Sequence, residues 1–381
     1  MAIRKTVLSR VFLLFFTIAI LPSMLRANKL NGHPFAVSRQ IFFEEEEDFR
    51  GGEFERTLFH PGRGMQISPL FGDDPSSGSY LSPEIRSPFP MTEILPSWNV
   101  DVPTSTGFSL YIRVSETGGD WSPWLFLGRD GETPPDLPRK TSWKGAELDV
   151  DYVLFSKPHR FLRWKVELYR DRTGNAPCLR LFSLALGNAS GNKEIYDSFA
   201  GKPRKVDGWN RRLNVPYRSQ LSDDPEIPPR MRGAICCPVS VAMVLDYYGR
   251  RVSTRKVCDL CFDRDYRIWG VWPRASQTLS RFGLRSHIVQ IREFDEIGEY
   301  IAGGVPLIIS IRAYRGELHS APYTEAPGHI LVITGLAGED AVWVNDPYNT
   351  DGEKGPTRWT REEIGKVFID RGGVAIIARP R

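Results

Sequence analysis

Cys236 is the residue of this 381-residue chain best placed to do chemistry. It lies in Gly-Ala-Ile-Cys-Cys-Pro (233–238), and the run that follows, Val-Ser-Val-Ala-Met-Val-Leu-Asp-Tyr-Tyr-Gly (239–249), reads as a helix over about 237–248. Pro238 suits a first helical turn, where a missing N–H costs nothing, and Gly249 suits a C-terminal cap. Val241, Val244, Leu245 and Tyr248 share a face at helical spacing. Cys236 therefore stands at or just before a helix N-terminus, where the dipole and the free N–H groups favour a thiolate over a thiol. A thiolate there is a nucleophile in search of a base.

Of the six His, His329 is the one that opens an apolar strand, Gly-His-Ile-Leu-Val-Ile-Thr-Gly (328–335). The next strand, Val-Trp-Val-Asn-Asp-Pro (342–347), ends on Asn345 and Asp346. Consecutive strands joined by a short turn pair as a hairpin, so the start of the first lies beside the end of the second. That brings His329 to Asp346 by spacing alone. An acyl-transfer site also needs donors for an oxyanion. The Cys236 backbone N–H is one, and the side-chain amide of Gln220, at the end of Val-Pro-Tyr-Arg-Ser-Gln (215–220), is a candidate for the other.

These segments together resemble the peptidase C39-like family of papain-fold proteins. The resemblance rests on Val215-Pro216-Tyr217 to Gln220, Cys236-Cys237-Pro238-Val239-Ser240 to Tyr247-Tyr248-Gly249, Gly304-Val305-Pro306, Gly328-His329, and Asn345-Asp346-Pro347, in family order over residues 213–379. It implies a papain-like domain in which Cys236 is the nucleophile, His329 its base, Asp346 the orienter and Gln220 the oxyanion residue. Cys237 stands where the family usually has Gly; Cys236, two residues before Pro238, is the position that matches the nucleophile. The best-known relatives cleave leader peptides after a double glycine and are fused to transporters, but this chain has neither a second long apolar segment nor a nucleotide-binding loop.

The elements around these residues read as α+β: the Cys236 helix, an irregular Cys-containing stretch at 253–273, helices near 273–282 and 293–302, strands at 284–291, 306–312, 329–336 and 341–345, a short helix at 360–367 and a last strand at 373–378. Upstream the texture changes. Residues 80–187 carry alternating segments such as Gly-Phe-Ser-Leu-Tyr-Ile-Arg-Val-Ser-Glu (107–116), separated by Gly, Pro and Asp turns, which suggest a β-sandwich. Trp121 and Trp124 there read either as core and edge packing or as a sugar-stacking platform. Residues 188–212 read as a linker, 28–79 as weakly ordered with a solvated acidic run at Glu44 to Asp48, and 73–79 as a loop.

Residues 1–27 have the pattern of an export signal: Arg4, Lys5 and Arg10, then an apolar run from Val11 to Leu21, then Pro22. The run is short of the ~20 apolar residues that span a bilayer. The expected location is secreted, periplasmic or cell-surface, with no membrane association beyond the signal. The net charge of +4 comes from the four basic residues of that segment; without them basic residues equal the 46 acidic ones, so no nucleic-acid partner is implied. Five Cys leave at least one thiol unpaired, and with Cys236 set aside Cys178, Cys237, Cys258 and Cys261 suffice for two disulfides. Cys258-x-x-Cys261 has half the ligands of a structural zinc site and no second pair beside it, so no metal and no cofactor are expected.

The composite expectation is a cysteine hydrolase of peptide bonds acting on a peptide or protein, held near glycan or cell-wall material by its β domain. The same residues are compatible with a non-cutting peptide binder and with acyl or peptidyl transfer to an amine.

Overall fold

A computed structural model describes residues 30, 32–69, 77–201, 208–349 and 355–381. The export segment expected at 1–27 lies outside the described residues. The described chain forms two compact units. One contains the described residues of His33–Arg204 together with Val271–Arg292 and Ala375–Arg381, and the other contains those of Lys205–Gly270 and Glu293–Val374.

The first unit is a β domain built on three long strands, Ile85–Asp101, Tyr152–Tyr169 and Cys178–Asn188. Period-two patterning explains its core. On the strand Gly107–Ser115 the side chains of Phe108, Leu110, Ile112 and Val114 point inward, and each is directly opposite an apolar partner on Tyr152–Tyr169: Leu168, Val166, Trp164 and Leu162. All eight are fully buried, and such cross-strand pairs are the unit of sheet stabilisation. Trp164 anchors an aromatic cluster, with ring centroids 4.4 Å from Phe182 and 5.1 Å from both Phe43 and Tyr80. Trp121 and Trp124 each carry the Arg113 guanidinium on a ring face, at 5.0 and 4.8 Å, so both rings pack on a cation.

Several parts differ from the sequence reading. The segment expected to be weakly ordered contains strands Val37–Phe43, Thr57–His60 and Gly64–Ile67. The first pairs with Cys178–Asn188 from Val37 opposite Asn188 to Phe43 opposite Phe182. The acidic run is a structured turn: Asp48 Oδ2 accepts the N–H groups of Glu44 and Glu45, and Phe49 is buried. Of the loop expected at 73–79, Ser77–Leu81 is a strand and 73–76 lie outside the described residues. The linker carries a helix, Lys193–Phe199, capped by the Asn192 side chain on the Ile195 N–H.

The helix Trp272–Ser280 and strand Leu284–Gln290, which the sequence reading places inside the C-terminal domain, are grouped with the β domain. Their buried polar atoms explain why. The Gln277 amide exchanges two hydrogen bonds with the Val100 backbone, as a neighbouring strand would, at 2.9 and 2.7 Å. The Asn99 amide does the same with Ser286, Ser97 Oγ accepts the Ile288 N–H, and the Gln290 amide donates to Glu93.

The second unit holds the helix Cys236–Tyr247 and an antiparallel run of strands, Leu307–Ala313, Ala326–Leu336, Ala341–Asn345 and Pro356–Thr360, paired in that order. Every residue from Cys237 to Leu245 is buried, so this helix is apolar all round rather than along one stripe. Gly249, at φ +72°, ends it in a Schellman motif: its N–H bonds the Asp246 carbonyl and the Arg250 N–H bonds Leu245. The stretch expected to be irregular contains a helix, Thr254–Cys261, whose Ser253 side chain caps the Lys256 N–H and whose buried residues are Val257, Cys258 and Cys261.

Removing the Gln277 amide strands two buried backbone groups of Val100, each costing about 1–3 kcal/mol. Gln277→Ala is therefore expected to lower unfolding free energy by about 2–6 kcal/mol, whereas the exposed Arg251→Ala changes it by less than about 0.5 kcal/mol. Urea unfolding followed by tryptophan fluorescence checks this, and equal midpoints for the two variants would contradict it.

Candidate active site

The thiol comes from the helix and the rest from the sheet. Cys236 is the first residue of Cys236–Tyr247, with Ile235 at the N-cap. Its own N–H is among the first four of the helix, which have no partner within it. The helix is tied to the strand Ala326–Leu336 by Ser240 Oγ, which donates to the Ile330 carbonyl at 3.1 Å. His329 is the residue before that anchor. The strand starts three residues earlier than the sequence reading has it, at Ala326, so His329 is held within the ladder, opposite Ile311, instead of at its frayed end.

The hairpin register brings His329 to Asp346. Val332 pairs with Asn345, so one step further Asp346 faces Leu331, which lies on the His329 side of the pleat. His329 Nε2 lies 2.7 Å from Asp346 Oδ1. The carboxylate is fully buried and further satisfied by the Tyr348 N–H to Oδ1 and by Tyr323 Oη, which donates to Oδ2, at 2.9 and 2.7 Å. The other end of the imidazole is left for sulfur, and Cys236 and His329 are hydrogen-bonded through their side chains.

The electrostatics follow. Burial raises the Cys236 thiol, but the hydrogen bond and positive charge of His329, with the N–H groups of Ile330 and Cys237, outweigh it and hold the thiol below its ordinary value. Burial lowers His329, but the Asp346 carboxylate and the Cys236 sulfur overcome this and lift the imidazole to about 10. Burial likewise raises Asp346, and the His329 charge, the hydrogen bonds of His329 and Tyr323, and the Tyr348 N–H bring it below the usual carboxylate range. These shifts favour the thiolate, imidazolium and carboxylate forms of the trio. Such a trio can attack a carbonyl carbon and then protonate a leaving amine.

Gln220 is buried, at 3% exposure. Its backbone N–H bonds the Pro347 carbonyl and its Nε2 donates to the Arg232 carbonyl at 2.7 Å. That carbonyl fixes which end of the amide is NH2, because the flipped amide would set two oxygens face to face. Nε2 keeps a second hydrogen to give. The segment that carries Gln220 is laid along the turn after Asp346: Tyr217 Oη donates to the carbonyls of Asp346 and Asn349, and Asn345 Nδ2 donates to the Val215 carbonyl. The Val-Pro-Tyr and Asn-Asp-Pro segments are therefore one physical unit.

Cys237, the other thiol of the pair, is fully buried within the helix. None of the five Cys is joined in a disulfide, so the two bridges for which Cys178, Cys237, Cys258 and Cys261 suffice are not formed. Cys258 and Cys261 are buried one turn apart on the helix Thr254–Cys261, and burial pushes Cys258 up to about 12. No group of metal-ligating side chains occurs among the described residues. Tyr323 and Tyr348, which bracket His329 with ring centroids at 5.4 and 6.5 Å, are site residues that sequence reasoning missed. Tyr323 lies in the irregular connection before Ala326, where no periodicity marks it.

Residues 212–376 match the model of the "Peptidase_C39 like family", and residues 41–186 match that of the "Peptidase C39 N-terminal domain". No curated protein matches the chain. One solved structure, "Crystal structure of a double glycine motif protease from AMS/PCAT transporter in complex with the leader peptide", is 20% identical over 45% of this chain and 96% of its own, with a TM-score of 0.31. Another, from "Structural basis for the promiscuous specificity of the carbohydrate-binding modules from the beta-sandwich super family", is 11% identical over 42% of this chain and 58% of its own, with a TM-score of 0.16. At these values neither likeness bears on residue roles or ligands. The thiol-bearing helix and the His–Asp hairpin both fall inside the first of these matches, which makes residues 212–376 similar to the peptidase C39-like family.

Proposed function

We propose that the chain is a cysteine hydrolase of peptide bonds, working through Cys236, His329 and Asp346 in the manner of papain-like enzymes. The observation that carries this reading is a half-buried thiol at a helix N-terminus, hydrogen-bonded to an imidazole whose far nitrogen sits 2.7 Å from a fully buried carboxylate. The Cys236 thiolate attacks the peptide carbonyl carbon, and the Cys236 N–H and the free hydrogen of Gln220 Nε2 receive the charge that develops on oxygen. The His329 imidazolium gives its proton to the departing amine as the C–N bond breaks, leaving a thioester on Cys236. Neutral His329 then takes a proton from water, which attacks the thioester and returns the thiolate with the carboxylic acid product. Asp346 holds the ring in place throughout. Residues 1–27 support action outside the cytosol, with peptide or protein substrates met there.

The electrostatics give a pH dependence with a definite sign. The thiol is lowered and the imidazole raised, so the ion pair exists between the two titrations, which belong to the pair as a whole. Alkylation of Cys236 by iodoacetamide is expected to stay fast well below the ordinary thiol range. Hydrolysis is expected to fall as pH passes about 10, where His329 loses the proton it must give to the amine. His329→Ala leaves the burial that raises the thiol and removes the group that lowers it most, so alkylation at pH 6 should drop by at least about a hundredfold. An unchanged alkylation profile would show that the imidazole does not set the state of the thiol.

Cys236→Ala is expected to abolish both alkylation at the site and peptide hydrolysis, by at least about a thousandfold, while Cys237→Ala retains both. Activity lost only in the Cys237 variant would overturn the assignment. Mass spectrometry of products with and without added amine separates hydrolysis from transfer, and labelling with no product at all would point to a peptide binder.

A further inference from the structure

Tyr323 touches two of the three groups of the site, and nothing in the reaction sequence above uses it. Its Oη donates to Asp346 Oδ2 at 2.7 Å, the carboxylate oxygen that does not face His329. Its ring meets the His329 ring edge-on, with centroids 5.4 Å apart and planes at 77°. We infer that Tyr323 is a positioning residue, whose hydroxyl locks the Asp346 carboxylate in the rotation that aims His329 at the Cys236 sulfur. The inference rests on the thiol-hydrolase reading for its consequence but not for its geometry.

Asp346 is fully buried, so each oxygen needs a donor. Oδ1 has two, the His329 ring and the Tyr348 N–H; Oδ2 has Tyr323. Without the hydroxyl, Oδ2 is a buried acceptor of a charged group with nothing to accept, at a cost of about 1–3 kcal/mol or more. A carboxylate relieves that by turning about its Cβ–Cγ bond toward another donor, and the turn takes Oδ1 off the His329 Nε2–H. The ring then loses its fixed heading, and its bond to sulfur weakens. The hydroxyl remains a donor throughout the working range, because burial and the Asp346 charge hold its own proton on far above the ordinary tyrosine value.

The loop that presents Tyr323 is itself pinned. The Glu363 carboxylate accepts the N–H groups of His319 and Ser320 and the Ser320 hydroxyl, while also closing the capping box of the helix Arg361–Val367 with Thr360. Further along the loop, Glu317 accepts from Arg371 and from the Tyr314 N–H. The hydroxyl thus arrives at Asp346 from a fixed scaffold, which is what a positioning role requires.

The test is the pH profile of Cys236 alkylation by iodoacetamide in the full chain, which needs no substrate. Tyr323→Phe keeps the ring against His329 and removes only the hydroxyl. The acid limb is expected to move up by about one pH unit, so that alkylation at a pH on that limb slows about tenfold. In an Asp346→Ala background, where there is no carboxylate to hold, Tyr323→Phe is expected to add no further shift. A Tyr323→Phe profile superimposable on wild type overturns the inference, as does a shift that persists undiminished without Asp346. Either result leaves the hydrolase reading standing, since that reading fails only on the behaviour of Cys236 and His329 variants.

Discussion

The C-terminal unit depends on one buried charge. The Asp346 carboxylate is fully removed from water, and an ionised group in that position is tolerable only when its lone pairs are all engaged. Three donors meet that need, from His329, Tyr348 and Tyr323. The demand organises the surroundings. The strand pair must keep the register that sets His329 diagonal to Asp346, and the turn at Pro347 must present the Tyr348 N–H. The Val215–Gln220 stretch must lie against that turn so that Tyr217 and Asn345 complete its backbone bonds. Segments far apart in the chain thus meet around one carboxylate.

The same charge reaches the sulfur through the imidazole. Burial by itself would keep the Cys236 thiol protonated and inert, as it does Cys258. What separates the two is company: Cys258 has another thiol and an aspartate nearby, whereas Cys236 has an imidazolium and backbone N–H groups. Cys237, one residue on, is fully buried within the helix.

This distinction was legible in the sequence only in part. The spacing of Cys236 to Pro238 located the helix end, and the two strands around Gly338 predicted that His329 and Asp346 would meet. Alternation along Gly107–Ser115 identified the β-domain core correctly. Tyr323 was invisible, because it acts from an irregular loop whose course is set by tertiary bonds to Glu363. The helix Thr254–Cys261 was hidden by its brevity and polar face, and its buried residues read as a cysteine motif instead. The N-terminal strands were masked by an acidic run whose Asp48 turns out to cap a turn over buried Phe49. The grouping of Val271–Arg292 with the β domain depends on amide side chains such as Gln277 and Asn99 acting as backbone surrogates, and hydrophobic periodicity says nothing about those.

The central claim is that the Cys236 sulfur forms and breaks the acyl bond. The most direct measurement is digestion of a proteome-derived peptide library by the full chain, with wild type and Cys236→Ala in parallel and new C-termini identified by mass spectrometry. The account predicts a reproducible set of cleavages with wild type and none with Cys236→Ala. The same cleavages with both proteins, or none with either, would contradict it.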